Sequence, residues 1–350
     1  MQFSDVQRAK RSLRKDPRCA KSVPAKSAVG HQRESALGHS VVPPPGRDAA
    51  VPKAFGPRLS ALSLLLAMRL LRHSGKPGVC SAESNVQDWL MRIFTVDCFT
   101  DRPFAGNPAA VCVLNSGWPE TEWLQQLGAE FNLPATAFIR SSQPQLELRW
   151  FSPQTELTLC GSGTLAAAHI LWEIGDQAGD LAFITSAGVL GARQQPDRRI
   201  TLDFPADVLR PVPISPMLVT ALGVSPLKAA RGRLDLLAEL DSAESVRRLT
   251  PDLVALTALD ARGIIVTACD EDGTDFVSRF FAPAVGIAED PVTASAHCTL
   301  GAYWSERLGK TVLTGLQVSA RSGRIDVNLC DGRVDLSGRA VTVTRGELVI

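Results

Sequence analysis

Two stretches of this sequence resemble each other and determine how the rest is interpreted. Residues 149–172 read RWFSPQTELTLCGSGTLAAAHILW, and residues 279–304 read RFFAPAVGIAEDPVTASAHCTLGAYW. An offset of 130 residues aligns the beginnings of the two stretches and places Cys160 opposite Asp290. Two extra residues in the second stretch then bring the helical parts into register. Each copy reads as a strand, a proline turn, a reactive residue, small residues and an Ala-rich helix, which predicts an internal duplication.

The small residues before each helix suggest a use for this duplication. They leave the first backbone N–H groups of the helix accessible, and the helix dipole favours an anion there. Two such N-termini facing each other across a cleft would hold a carboxylate. Cys160 and Asp290 would lie at its edges, one in each half, placed to move protons on a bound small acid. Alternatively, both helices are structural, and their small residues only permit close packing.

The sequence around the two copies alternates short β-rich segments with helical ones, which predicts an α+β fold. Predicted strands cover residues 93–98, 110–114, 146–151, 182–185, 199–204, 263–268, 276–281, 316–319, 324–329, 333–336 and 340–343. Predicted helices cover residues 120–130, 164–174 and 295–304.

Charge is divided unevenly along the 350 residues. Residues 1–81 contain fifteen Lys and Arg against four Asp and Glu, whereas the remainder contains 22 against 32. The basic part has scattered Pro and Gly and no regular apolar stripe, which is typical of a disordered tail. Its Arg-rich, acid-poor composition also suits an organellar transit peptide. We therefore expect residues 1–90 to be a disordered or targeting extension, and the protein to be cytoplasmic or, with a transit peptide, organellar.

Several classes of partner are not expected. The apolar run at residues 59–71 is too short to span a membrane, and no aromatic residues interleave the basic ones as in nucleic-acid binding. The eight cysteines form no CxxC pair and show no zinc spacing, and the five histidines are scattered. The sequence therefore predicts no metal site.

Three motifs together resemble one known family. Residues 96–111 read VDCFTDRPFAGNPAAV, which is similar to the opening of the PhzF-like isomerases of phenazine biosynthesis. The segment RWFSP, followed by Leu159-Cys160-Gly161, matches a second family motif, and EDPVT at residues 289–293 matches a third. The resemblance spans about residues 92–350.

The resemblance implies the diaminopimelate-epimerase-like fold, in which two pseudo-symmetric lobes each wrap a curled mixed sheet around a central helix. We expect an N-terminal lobe at residues 91–208, a C-terminal lobe at 209–338 and a closing strand at 339–350. The resemblance also implies an isomerase without cofactor or metal that uses a glutamate and an aspartate in a cleft between the lobes. Members are often dimers, so the resemblance makes a homodimer possible, although no local motif specifies an interface.

Three positions depart from the family pattern. The family's glutamate lies in an Asn-Leu-Ser-Glu-Thr motif, which here reads NLPAT with Ala135 in the glutamate position. The family's histidine after Cys-Gly is Ser162, and the glycine of its Thr-Gly-Ser loop is Ala294. Because alanine cannot carry a proton, the acid/base machinery implied by the family is incomplete.

Asp290 and Cys160 are the candidate catalytic residues. Asp290 matches the family's aspartate, with a structural N-cap as the alternative role. Cys160 matches the acid/base cysteine of related epimerases, and its place before a helix would lower its pKa, with packing as the alternative. His297 is expected to be a capping or core residue. The candidate substrate-binding residues are Gly161, Ser162, Thr293, Ser295 and Asn107.

These observations support two main hypotheses. The first is a cofactor-independent isomerase or epimerase that moves a proton on a small carboxylic acid, with Asp290 and Cys160 as the proton carriers. The second is a catalytically impaired pseudoenzyme that binds a small acid or a protein partner, motivated by Ala135 and Ser162. A hydratase or dehydratase on the same scaffold is a third hypothesis.

Overall fold

The computed structural model describes residues 91–115, 117–142, 145–270 and 273–349. The predicted extension at residues 1–90 lies outside the described residues, so its disorder or targeting role stays a prediction. The described part is an α+β structure, as the sequence predicts. No helix within it is long and apolar enough to cross a membrane.

The strands and helices fall into two sets that follow one another along the chain. The first set is β1 (Met91–Cys98), β2 (Asn107–Leu114), α1 (Thr121–Phe131), β3 (Ala135–Ser142), β4 (Gln145–Phe151), β5 (Glu156–Leu157), α2 (Gly161–Glu173), β6 (Leu181–Thr185), β7 (Gly188–Gln194) and β8 (Ile200–Pro205). The second set begins with β9 (Arg210–Val212), α3 (Pro216–Leu222), β10 (Lys228–Arg231), β11 (Leu236–Glu239), α4 (Ala243–Arg248), α5 (Leu253–Thr257), β12 (Ile264–Cys269) and β13 (Phe276–Ala282). It ends with β14 (Ile287–Asp290), α6 (Ala294–Leu308), β15 (Val312–Gln317), β16 (Gly323–Cys330), β17 (Arg333–Gly338) and β18 (Ala340–Leu348).

The strand pairings of the two sets follow the same pattern. The first sheet has the order β18-β1-β2-β3-β4-β6-β7-β8, and the second has the order β9-β10-β11-β12-β13-β15-β16-β17. Both run antiparallel, antiparallel, parallel, antiparallel, parallel, antiparallel, antiparallel. The short strands β5 and β14 pair with the equivalent strands β4 and β13. This shared topology supports the duplication inferred from the sequence.

Two features join the halves. Strand β8 pairs antiparallel with β17, so the last strand of one sheet continues into the last strand of the other. The chain then crosses back, and β18 pairs with β1 in the first sheet. The domain boundaries at residues 208 and 338 remain our proposal.

Each sheet curls around one buried helix, α2 in the first half and α6 in the second. Nearly every residue of α2 is buried because its sequence is apolar or small on all sides. Helix α6 buries its first half and Trp304, which is 1% exposed. Residues of both helices belong to one hydrophobic cluster that spans the two halves.

The structure corrects the boundaries of three predicted elements. Both central helices begin earlier than predicted, at Gly161 and Ala294, so the small-residue segments are first helical turns rather than loops. The strand predicted at residues 316–319 is instead β15, which ends at Gln317. That prediction was wrong because Gly315 and Gln317 face the interior, so the buried side of this strand does not read as apolar.

Gly106 sets the turn that delivers Asn107 to the start of β2. Its φ of +66° lies in the left-handed region, and an added β-carbon would lie 2.1 Å from the backbone oxygen of Cys98. Its N–H donates to the backbone oxygen of Ser322 at 2.7 Å, which ties the turn to the second half.

We expect Gly106→Ala to lower the free energy of unfolding by roughly 3 kcal/mol or more, because backbone clash adds to left-handed strain. Gly175→Ala is the matched control, since Gly175 has a φ of +74° with nothing within 4 Å of its β-carbon position. That control should lose only about 1–2 kcal/mol. Urea unfolding of both variants is the measurement, and equal losses would refute the clash.

Candidate active site

The two central helices begin against each other. A β-carbon added to Gly161 would lie 2.2 Å from the β-carbon of Ala294, so the first residues of α2 and α6 are in direct contact. Cys160 is the N-cap of α2 and Thr293 is the N-cap of α6. The first N–H groups of each helix have no intrahelical acceptor, so two donor sets of positive partial charge converge here.

Asp290 lies at the end of β14, buried next to this junction. The side-chain amide of Asn107 donates to Oδ1 of Asp290 at 2.8 Å, and the hydroxyl of Thr293 donates to Oδ2 at 2.5 Å. Burial raises the pKa of Asp290 from 3.8 to about 6, although these hydrogen bonds and the charge of Arg262 act in the opposite direction. The carboxyl group therefore titrates close to neutral pH, as a general base requires.

Cys160 lies directly at the start of α2. Its structural equivalent in the second half is the N-cap Thr293 and not Asp290, which the aligned sequences place opposite it. Its Sγ accepts from the backbone N–H of Gly163 at 3.4 Å and lies 3.5 Å from the hydroxyl oxygen of Ser162. Burial raises the pKa of the Cys160 thiol above 9.0, and the negative charge of Asp290 raises it further. The expectation that the helix start would lower this pKa is wrong, because desolvation outweighs the N–H donors.

Ser295 lies in the first turn of α6 beside an arginine. Its hydroxyl accepts a hydrogen bond from Nη2 of Arg262 at 3.0 Å. Arg262 is held in turn by Asp235, through Nε to Oδ1 at 2.9 Å and Nη2 to Oδ2 at 2.5 Å. A small cavity of about 40 Å³ at this point is lined by these residues together with Leu159 and Phe204 from the first half.

The structure thus brings together the residues predicted for the site. Asn107, Asp290 and Thr293 form one hydrogen-bonded cluster, and Cys160 with Ser162 forms another at the start of α2. The amide oxygen of Asn107 is buried without a hydrogen-bond partner in the part of the chain that the structure describes.

Three further residues support the site and were missed. Gln317 is fully buried, donates to the backbone oxygen of Asp290 at 2.6 Å and accepts from the backbone N–H of Thr293 at 2.9 Å. The thiol of Cys98 donates a hydrogen bond to the backbone oxygen of Ser162, with an Sγ to O distance of 3.3 Å. Gln317 and Arg262 lie far from the motifs in the sequence, and no local pattern distinguishes them, whereas Cys98 lies within the first motif, which does not show its contact with Ser162.

Comparison with known proteins identifies the family. Residues 96–346 match the PhzC-PhzF family, described as phenazine biosynthesis-like protein. An uncharacterized isomerase of Halalkalibacterium halodurans is 45% identical over 262 residues, covering 74% of this chain and 98% of that protein. The chain belongs to this family.

Solved structures agree with the family assignment. A PhzF-family phenazine biosynthesis protein of Enterococcus faecalis is 40% identical with a TM-score of 0.71, covering 75% of this chain and all of that one. A hydroxyproline epimerase of Agrobacterium vitis, solved with trans-4-hydroxy-L-proline bound, has a TM-score of 0.51 at 13% identity and covers 74% of this chain and 91% of that one. The latter likeness concerns the fold alone, which is of the diaminopimelate-epimerase-like type.

The departures from the family pattern have structural counterparts. Ala135, in the position of the family's glutamate, is fully buried at the start of β3. His297 is also fully buried, and desolvation lowers its pKa to about 4, so it is neutral at pH 7. Its Nδ1 lies 2.8 Å from the backbone oxygen of Thr293. It is a core residue, one of the two roles expected from the sequence, since α6 has no side-chain cap.

The raised pKa of Asp290 predicts a pH-dependent stability difference for Asp290→Asn. Only well below pH 3.8 is the carboxyl group neutral in both the folded and the unfolded chain. Between 3.8 and about 6 the folded chain keeps the proton that the unfolded chain has lost, so wild-type stability falls as pH rises. The variant lacks this loss, so its stability relative to wild type should rise by about 2 kcal/mol between pH 4 and pH 7.

Chemical unfolding of wild type and Asp290→Asn at pH 4, 5, 6 and 7 measures this difference. Asp260→Asn, at a fully exposed aspartate, controls for the general loss of one negative charge. A stability gain for Asp290→Asn that is the same at every pH would contradict the prediction.

Proposed function

We propose that this protein is a cofactor-independent isomerase or epimerase that moves a proton on a small carboxylic acid, with Asp290 and Cys160 as the proton carriers. The observation that carries the proposal is that both groups lie beside two helix N-termini in contact, Cys160 as the N-cap of α2 and Asp290 three residues before the N-cap of α6. On this proposal the protein acts in the cytoplasm or, if residues 1–81 direct it there, in an organelle.

The pKa values assign different roles to the two groups. At pH 7 a carboxyl group with a pKa of about 6 is mostly ionised, so Asp290 acts as the base. The Cys160 thiol, whose pKa lies above 9.0, is protonated at the same pH and acts as the acid. Environments that push two pKa values apart in this way are a recurring means of dividing acid and base roles.

The substrate carboxylate would bind at the start of α6. Ser295 and the guanidinium of Arg262 lie together there, and the N–H groups of the first helical turn add positive partial charge. The unpaired amide oxygen of Asn107 would accept a hydrogen bond from an amino or hydroxyl group of the same molecule. These features favour a small acid that carries such a donor next to its carboxylate.

The proton transfers balance within the site. The Asp290 carboxylate takes the proton from the carbon next to the substrate carboxylate, and the electron pair of that C–H bond moves into the carboxylate system. The developing charge is stabilised by the helix N–H groups and Arg262. The Cys160 thiol then forms the new C–H bond, which leaves a thiolate and a protonated Asp290. Exchange with solvent, or turnover in the reverse direction, restores both groups.

We expect the wild-type protein to exchange deuterium from D₂O into the α-position of a small hydroxy or amino acid, and Cys160→Ala to reduce the rate by about 10²–10⁴-fold. The rate should rise with pH as Asp290 ionises near 6, and the raised pKa of Cys160 should keep the thiol protonated beyond the pH at which an ordinary cysteine ionises. Proton NMR of the α-hydrogen over a panel of such acids is the measurement.

The matched control is Cys269→Ala, because Cys269 is an exposed free thiol outside the site. It should leave the exchange rate unchanged. Full exchange in Cys160→Ala would exclude this thiol as the acid, while loss of exchange in both variants would indicate a general requirement for thiols.

A catalytically impaired binding protein is the second candidate function. It is favoured by the close contact between the N-termini of α2 and α6, which leaves little space for a substrate. The methyl group of Ala294 packs against Gly161, and the cavity beside Ser295 measures only about 40 Å³. Ala135, in the position of the family's glutamate, offers no proton carrier.

The substitution Ala135→Glu separates the two candidate functions. If the protein has lost catalysis together with the family's glutamate, wild type should show no exchange above the uncatalysed rate. Ala135→Glu should then raise the exchange rate at least about 10²-fold above that baseline. Ala135→Gln is the matched control, because it fills the same space without a proton carrier. Exchange in the unmodified protein would exclude the impaired form.

A further inference from the structure

A second, larger cavity shares no lining residue with the candidate active site, although Ser322 in its lining accepts a hydrogen bond from the N–H of Gly106, next to Asn107. It measures about 290 Å³ and is formed by the loop after β1, the segment before β8, strand β16 and the connection from β17 to β18. This volume is near the lower end of the range for small-molecule pockets, which is roughly 300–1,000 Å³.

The cavity opens on the outer face of the sheet. In β16, Ile325 and Val327 are buried in the core, and a β-carbon added to Gly301 of α6 would lie 2.7 Å from Val327. Side chains alternate across a strand, so Arg324 and Asp326 point away from α6. The cavity therefore lies on the side of the sheet opposite the central helix.

Arginine dominates the charge of this cavity. Four arginines and two aspartates line it: Arg102, Arg199, Arg324, Arg339, Asp101 and Asp326. Even with Asp197, which pairs with two of these arginines from outside the lining, the guanidinium groups outnumber the carboxylates. The cavity is therefore locally positive, whereas residues 82–350 as a whole are negative, with 22 Lys and Arg against 32 Asp and Glu.

Most of these guanidinium groups are weakly engaged. Arg199 donates to Asp197 at 2.7 Å and to Asp326 at 2.6 Å. Arg324 makes only long contacts, at 3.4 Å to Asp326 and 3.3 Å to Thr314, whereas charge-assisted bonds are typically about 2.7–2.9 Å.

The remaining two arginines make still fewer contacts with acceptors. Arg339 approaches Asp197 no closer than 3.8 Å. Arg102 is exposed and has no side-chain hydrogen bond or ion pair within the described part of the chain. A guanidinium presents five N–H donors in a fixed fork, and most of those in this cavity have no protein acceptor.

We infer that this cavity binds a small metabolite dianion, either a phosphate ester or a dicarboxylate. Both present paired oxygens at the spacing that a guanidinium fork recognises. Arg102 and Arg324 supply the uncommitted donors, while Arg199 is held in place by its two aspartates. The site is separate from the proton-transfer site and takes a ligand of its own.

The test measures thermal unfolding of the full chain with increasing inorganic phosphate or malonate, at an ionic strength held constant with sodium chloride. At about 100 times the dissociation constant of either probe, we expect a rise in the midpoint of roughly 5 °C over chloride alone. Stabilisation by phosphate alone would identify a phosphate ester, and by malonate alone a dicarboxylate.

Three variants locate the effect. The double variant Arg102→Gln with Arg324→Gln should raise the dissociation constant at least about tenfold. Both side chains are exposed, so we expect the double variant to fold normally. Arg210→Gln removes one exposed arginine elsewhere and should retain the full effect. Ser295→Ala should also retain it, because binding at the helix N-termini would depend on Ser295.

The inference is overturned if neither probe stabilises wild type beyond chloride, or if the double variant keeps the stabilisation. It is equally overturned if Arg210→Gln loses the effect to the same degree, which would indicate general charge screening. Loss in Ser295→Ala would place the anion in the cleft instead.

Discussion

The contact between the N-termini of α2 and α6 is the constraint on which the rest of the structure depends. Gly161 and Ala294 meet so closely that a β-carbon on the glycine would overlap the alanine. The N-terminal ends of helices carry partial positive charge, so bringing two of them together is unfavourable unless negative groups lie nearby. Asp290, at the end of β14, supplies that charge, and the two curled sheets hold both helices in place.

The same arrangement places a carboxyl group where burial is unfavourable for its charged form. Asn107 and Thr293 donate hydrogen bonds to both oxygens of Asp290, and Gln317 holds the adjacent backbone. The residual desolvation still raises the pKa to about 6. The ionised Asp290 carboxylate therefore lowers the free energy of unfolding at neutral pH. Such a cost is common for buried groups that transfer protons.

Much of the fold and part of the site could be predicted from the sequence. The repeat of residues 149–172 at 279–304 predicted two similar halves, and the observed strand pairings have one common pattern. The pairing of Asp290 with Thr293 is local, only three residues apart, so a motif could contain it. The pKa of Cys160 was misjudged because the helix start is visible in the sequence, whereas the burial that outweighs it is not.

The sequence by itself determined the duplication, the family and the identity of the residues at both helix starts, because these depend on local order along the chain. Only the tertiary structure decided that Gln317 and Arg262 support the site and that Ala294 closes the space beside Gly161. It also decided that arginines from four separate segments converge in one outer cavity. Such features depend on distances between residues remote in sequence, which are set by the curl and register of the sheets.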